Sequence, residues 1–148
     1  MTALRTTVAA ALLTTLLAGC SGDPYEDYCG VVSEKQEELS RVLGEGGPDV
    51  LLRALPIFRD LEDAAPDDIR DDWRIVVSGL TALEDALDDA GVDPATYDRD
   101  DPPEGLSQAD KDAIDVAAGQ LTSEATVTAF SGVDQQAKDV CRTPLQIG

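Results

Sequence analysis

The stretch from residue 69 to residue 91 constrains this chain more than any other. Ile69, Trp73, Val76, Leu80, Leu83, Leu87 and Ala90 recur at alternating spacings of four and three, and Gly91 stops the series. That spacing sets all seven side chains on one stripe of an α-helix, and a stripe so regular calls for helical neighbours along its length. Pro66 is expected to open this helix. Asp67, Asp68, Asp71 and Asp72 then suit the positive end of its dipole, while Arg70 and Arg74 can pair with acids on the same surface.

The rest of the chain supplies the neighbours. Asp23-Pro24-Tyr25-Glu26 combines an N-cap residue, a proline at the first helical position and an acid three residues after the cap. It opens a helix that carries Tyr28, Val32, Leu39, Val42 and Leu43 on one face and ends at Gly44 and the GEGG turn. A second helix is expected from Pro48 to about Ala64, through Val50, Leu51, Leu55, Phe58 and Leu61, with Pro56 kinking or dividing it. Residues 91–105, GVDPATYDRDDPPEG, form the one long irregular stretch. Ser107 and Asp110 then resemble a capping box for a helix bearing Ile114, Ala117 and Leu121. Thr122-Ser123-Glu124 starts another, with Val127, Phe130, Val133, Ala137 and Val140. Uninterrupted, residues 107–141 would span about 50 Å, against about 38 Å for the third helix, so a break is expected near Thr122. No internal repeat and no strand-like alternation occurs. The expected fold class is all-α: an antiparallel up-down four-helix-type bundle with its last helix broken near Thr122.

Composition limits what such a bundle does. The 148 residues suffice for one domain plus a leader. Thirty acids against eleven bases and no histidine give a net charge of −19. Nucleic acid and anionic headgroups are repelled by such a body, whereas metal ions, polyamines and basic proteins are drawn to it. Without histidine there is no ordinary Ser-His or Cys-His pair and no imidazole ligand. Lys35, Lys111 and Lys138 do not stand in an SxxK motif, and carboxylate pairs of the glycosidase kind arise by chance in so acidic a chain. A non-enzymatic protein without cofactor is expected. Asp93, Asp98, Asp100, Asp101 and Glu104 share one loop and form a candidate site for weak divalent-cation binding. The stretch lacks the alternating ligands and closing glutamate of an EF-hand, and a solvated loop is the simpler expectation. Trp73 and Phe130 invite a ligand pocket, but aromatics on an apolar seam ordinarily belong to the core.

The opening of the chain fixes its expected address. Arg5 precedes an apolar run of eleven residues at positions 8–18, too short to span a membrane and suited to a signal-peptide core. It ends in Leu17-Ala18-Gly19-Cys20, which resembles a bacterial lipobox. The resemblance implies removal of residues 1–19, a diacylglycerol on the Sγ of Cys20, and a short tether of residues 20–23 before an acidic helical body of residues 24–148. Loss of the leader, whose one charge is Arg5, takes the net charge to −20. Two or more acyl chains hold a protein stably at a membrane. No twin-arginine pair is present, which favours export as an unfolded chain.

With Cys20 so assigned, Cys29 and Cys141 remain in an oxidising compartment, where a structural disulfide is expected between them. A metal site would lack further Cys and His, and a redox pair would sit together as CxxC. In an up-down bundle the start of the first helix and the end of the last share one pole, which agrees with that pairing. The body from Tyr28-Cys29 through Ala65-Pro66-Asp67 and Trp73 to Cys141 is also similar to small actinobacterial lipoproteins of unassigned function. The expected role is therefore a lipid-anchored envelope protein. It either presents a membrane-distal acidic surface to a cationic partner or captures a small cation or apolar ligand for a transporter.

Overall fold

A computed structural model describes residues 23–147; the leader, the lipobox and Cys20 lie outside the described residues. Five helices pack in sequence: α1 Pro24–Glu45, α2 Val50–Ala64, α3 Arg70–Asp89, α4 Gln108–Leu121 and α5 Glu124–Val140. No strand occurs among the described residues. α3 is the hub, touching α2, α4 and α5, while α1 packs on α2 and meets α5 through fewer contacts. None of the described helices is long and apolar enough to cross a membrane.

The seam of α3 does what its spacing demands. Ile69, Trp73, Val76 and Leu80 are buried in one core with Tyr28, Val32 and Leu39 of α1, Leu55, Phe58 and Leu61 of α2, and Val133 and Ala137 of α5, while Leu87 is buried outside that core and Leu83 and Ala90 are half-buried. The helix itself begins later than expected. Pro66 opens a turn whose carbonyl accepts from the N–H groups of Ile69 and Arg70, and regular helix starts only at Arg70. Asp67 and Asp68 therefore precede the first turn, where Asp67 pairs with Arg70 and Asp68 accepts from the Tyr25 hydroxyl at 3.0 Å. At the far end Gly91 takes φ 65°, the Gly91 N–H reaches the Asp88 carbonyl and the Val92 N–H that of Leu87. This is the double closure of a Schellman motif, which glycine's freedom at positive φ permits.

Two expected helix ends move. α1 continues through Gly44 to Glu45 and is capped by Gly46, because Arg41 and Arg53 both hold the Glu45 carboxylate and so fix the last turn. α2 starts at Val50 rather than Pro48 and runs unbroken through Pro56. Pro56 is exposed, so solvent can reach the carbonyl deprived of its donor, while the buried Ala54, Leu55, Ile57 and Phe58 hold the helix on both sides. Lys35 to Asp60 at 2.6 Å joins α1 to α2, and Arg59 joins α2 to Thr81 and Glu84 of α3.

The boundary between α4 and α5 falls at Thr122 and Ser123. The Ser123 hydroxyl accepts from the Thr126 N–H, and the Thr126 hydroxyl donates back to the Gln120 carbonyl at 2.9 Å. The buried face of α5 keeps Val133 and Ala137 of the expected one but not Val127 or Val140. Thr126, Ala129, Val133 and Ala137 point inward, while Val127 and Val140 are 53% and 45% exposed. Phe130 is only partly buried and meets Phe58 edge-on at 6.3 Å. Two glycines let α4 and α5 approach α3: a Cβ on Gly79 would lie 3.1 Å from Leu121 Cδ2, and one on Gly132 would lie 2.6 Å from Asp72 Oδ2.

Candidate functional site

The described chain ends in two differently built poles. At the first, Cys29 near the start of α1 is joined to Cys141 at the end of α5, with the Cα atoms 5.0 Å apart. Beside it the indole N–H of Trp73 donates to the Tyr28 hydroxyl at 3.0 Å, both residues being fully buried. Burial pushes the Tyr28 phenol up to about 12, with a smaller contribution from the nearby Asp68 charge and an opposing one from the Trp73 donor. The exposed Tyr25 phenol is also raised, chiefly by its bond to the Asp68 carboxylate.

After Cys141 the chain reverses at Arg142, which adopts φ 58°. Residues 142–147 then lie back over α5 as a strap. Asp134 Oδ1 accepts from the N–H groups of Leu145 and Gln146 at 3.0 and 3.1 Å, and Leu145 is driven fully into the core. The sequence-based expectation missed this element. Its signal was the apolar pair Leu145 and Ile147 beyond the helix, in a chain that spends few apolar residues outside helices.

A wide cleft of about 650 Å³ also opens at this pole, lined by Tyr25, Asp27, Asp63, Asp67, Asp68 and Arg70. It is large but shallow, and much of its polar lining is engaged internally: Arg70 with Asp67 and the Ala65 carbonyl, Asp68 with Tyr25. Of its polar lining, Asp27 and Asp63 remain outside these bonds, and both are acids that offer a ligand no hydrogen-bond donor.

The second pole is made by the turn after α1 and the loop 91–105. All five candidate cation ligands, Asp93, Asp98, Asp100, Asp101 and Glu104, are exposed. Asp93 Oδ1 accepts from the Ala95 N–H at 2.9 Å, and Asp98 Oδ1 from the Asp100 N–H at 2.8 Å, so two of them cap turns of their own loop. Nowhere among the described residues do three or more Asp, Glu, Cys or His side chains converge as a metal site would require.

What the loop does cover is a cavity. Pro48, Leu52 of α2, Leu83 and Leu87 of α3, Ile114, Asp115 and Ala118 of α4, and Pro94, Tyr97 and Arg99 of the loop enclose about 190 Å³. Its wall is aliphatic and its polar groups are few. Arg99 meets Asp115 two-pronged, Nε to Oδ1 at 2.8 Å and Nη2 to Oδ2 at 3.2 Å. This is an apolar hollow that also carries orienting charge, and sequence reasoning singled out none of its polar residues. Arg99 was the available signal, as the one base within an acidic loop.

No family model matches this sequence, and no curated protein or solved structure shows significant similarity to it.

Proposed function

We propose that this protein is a lipid-anchored, extracytoplasmic binding module, fastened through Cys20 and built as an up-down-up-down four-helix-type bundle in which α4 and α5 together form the last leg. The Cys29–Cys141 bond carries the reading. It is the kind of link that persists outside the reducing cytosol, and it ties the first helix to the last at the end of the body that follows Cys20. Three residues separate Cys20 from the first helix, a reach of about 10 Å, so the disulfide pole faces the membrane and the 91–105 loop faces away. The bundle topology is supported by residue pairs stepping in opposite directions along α3: Leu87 with Ile114 around the cavity, Gly79 with Leu121, and Asp72 with Gly132.

Charge decides what the distal surface can meet. Lys35, Arg41, Arg53, Arg59, Arg70, Arg74 and Arg99 are each spent on the protein's own acids, which leaves the excess of carboxylates facing solvent. A cationic partner is thereby favoured and nucleic acid disfavoured. Intact-mass spectrometry of the mature protein should find a diacylglycerol-modified Cys20 as the first residue, and Cys20→Ser should abolish membrane recovery. An unmodified thiol there would overturn the anchoring. A pull-down from envelope extract should recover a basic partner at low ionic strength and lose it at high salt.

The cavity under the loop favours a second role for the same module, capture of a small solute on behalf of a transporter. Enclosed apolar walls with a few convergent polar groups are the usual make-up of a small-ligand site.

A further inference from the structure

We propose that the cavity beneath the 91–105 loop binds a small monocation with an apolar body, such as an arylalkylamine, and that Arg99 occupies the cation position until the ligand arrives. The inference rests on the solute-capture role above and names its ligand class.

Size sets the body of the ligand. A closed apolar cavity of about 150 Å³ accepts benzene, so this partly open hollow of about 190 Å³ has room for a single ring with one or two further atoms reaching its mouth. The wall suits such a ring: Leu52, Leu83, Leu87 and Ile114 come from three helices, and Tyr97 adds a lining residue from the loop.

Charge sets the head. Asp115 is the one carboxylate in the lining, and it is carried by α4, a rigid element. Its present partner Arg99 is carried by the loop and is 71% exposed, against 37% for Asp115. A pair so bathed in water contributes little and exchanges readily. An ammonium group one carbon from a buried ring can therefore replace the guanidinium on Asp115 while the ring fills the space below. The net charge of −19 concentrates cations at the mouth and depletes anions, so a carboxylate ligand directed at Arg99 has the field against it. Arg99 thereby keeps Asp115 paired in the empty protein and leaves with the loop when a better-anchored cation enters.

The test is methyl NMR on the full chain with its disulfide intact, titrated at constant ionic strength with benzylamine, its neutral isostere benzyl alcohol, and benzoate. Benzylamine should shift the methyls of Leu52, Leu83, Leu87 and Ile114 with a Kd about threefold below that of benzyl alcohol, and benzoate should shift none. Asp115→Asn should weaken benzylamine about threefold, as the loss of a partly exposed ion pair should, and leave benzyl alcohol unchanged. Arg99→Gln, at an exposed position, should tighten benzylamine about threefold by removing the competitor. Ala118→Leu should weaken both ligands by filling the cavity, with the methyl spectrum of the distant core serving as the check on folding. Benzyl alcohol binding as tightly as benzylamine, or an inert Asp115→Asn, overturns the cation assignment while solute capture survives. Methyls unmoved by all three probes overturn both, and shifts that persist undiminished in a folded Ala118→Leu variant overturn the location.

Discussion

At the disulfide pole Tyr28, Trp73 and Leu145 are fully buried around Cys29–Cys141, whereas at the opposite pole the loop 91–105 leaves every one of its acids in water. The first is held by a covalent bond, a buried hydrogen bond and a strap clasped by Asp134. The second is held by caps and turns around a small unfilled space. The first pole is held by groups distant in sequence, the second mainly by bonds within a few residues of one another. Regions that open for ligands are drawn from the less stable parts of a fold.

The largest expected effect lies in the covalent link. Its partners are 112 positions apart, so replacing both cysteines by serine should cost on the order of 4 to 5 kcal/mol in urea unfolding, through the freed entropy of the unfolded chain. A loss under about 1 kcal/mol would erase the contrast between the poles. Leu145→Ala comes next, at about 2 to 5 kcal/mol for a fully buried leucine, and hydrogen exchange should quicken at residues 134–146. If exchange there is unchanged, the strap is not part of the cooperative core.

A pH titration sharpens the same contrast. Folding raises the Tyr28 phenol from 10.0 to about 12, so the native state holds that proton more tightly than the unfolded chain does. The resulting stability is fully present below pH 10 and is lost as pH rises through about 12, a change on the order of 3 kcal/mol. Tyr28→Phe should flatten the curve over that window. At the loop pole effects should be smaller. Ser107→Ala removes the cap of α4, where the hydroxyl accepts from the Asp110 N–H, and should cost about 1 kcal/mol by thermal unfolding. Smallest of all, Asp98→Asn, Asp100→Asn and Asp101→Asn together should leave stability within about 0.5 kcal/mol. A larger loss would give the loop a structural duty that its exposure argues against.

Most helices were legible from local patterns. The seam of α3, the caps at Asp23 and Ser107 and the break at Thr122 are set by residues within a turn of one another, where spacing alone carries the information. Pro56 does not divide α2, because it is exposed and solvent can satisfy the carbonyl it leaves without a donor, and exposure is a tertiary property. The inner face of α5 was misread at Val127 and Val140 for a related reason. Thr126 is polar by composition, yet it turns inward because Gln120 across the break satisfies its hydroxyl. Of the candidate site, the acidic loop was visible at once, but the cavity it covers was not. Leu52, Leu83 and Ile114 each look like ordinary core, and only packing shows that the three fail to fill the space between them.

Periodicity and composition alone determined that this chain is helical, strongly acidic and devoid of imidazole chemistry, since those properties reside in residues taken singly or a turn apart. The pairing of Cys29 with Cys141 could be read from the cysteine count and is present in the fold, whereas tertiary structure alone decided the seating of Leu145 through Asp134 and the meeting of Arg99 with Asp115 above an apolar hollow. Each depends on groups brought together from distant parts of the chain or across a chain reversal. Such contacts have no local signature, because what selects them is the sum of burial over the whole core rather than the preference of any one segment.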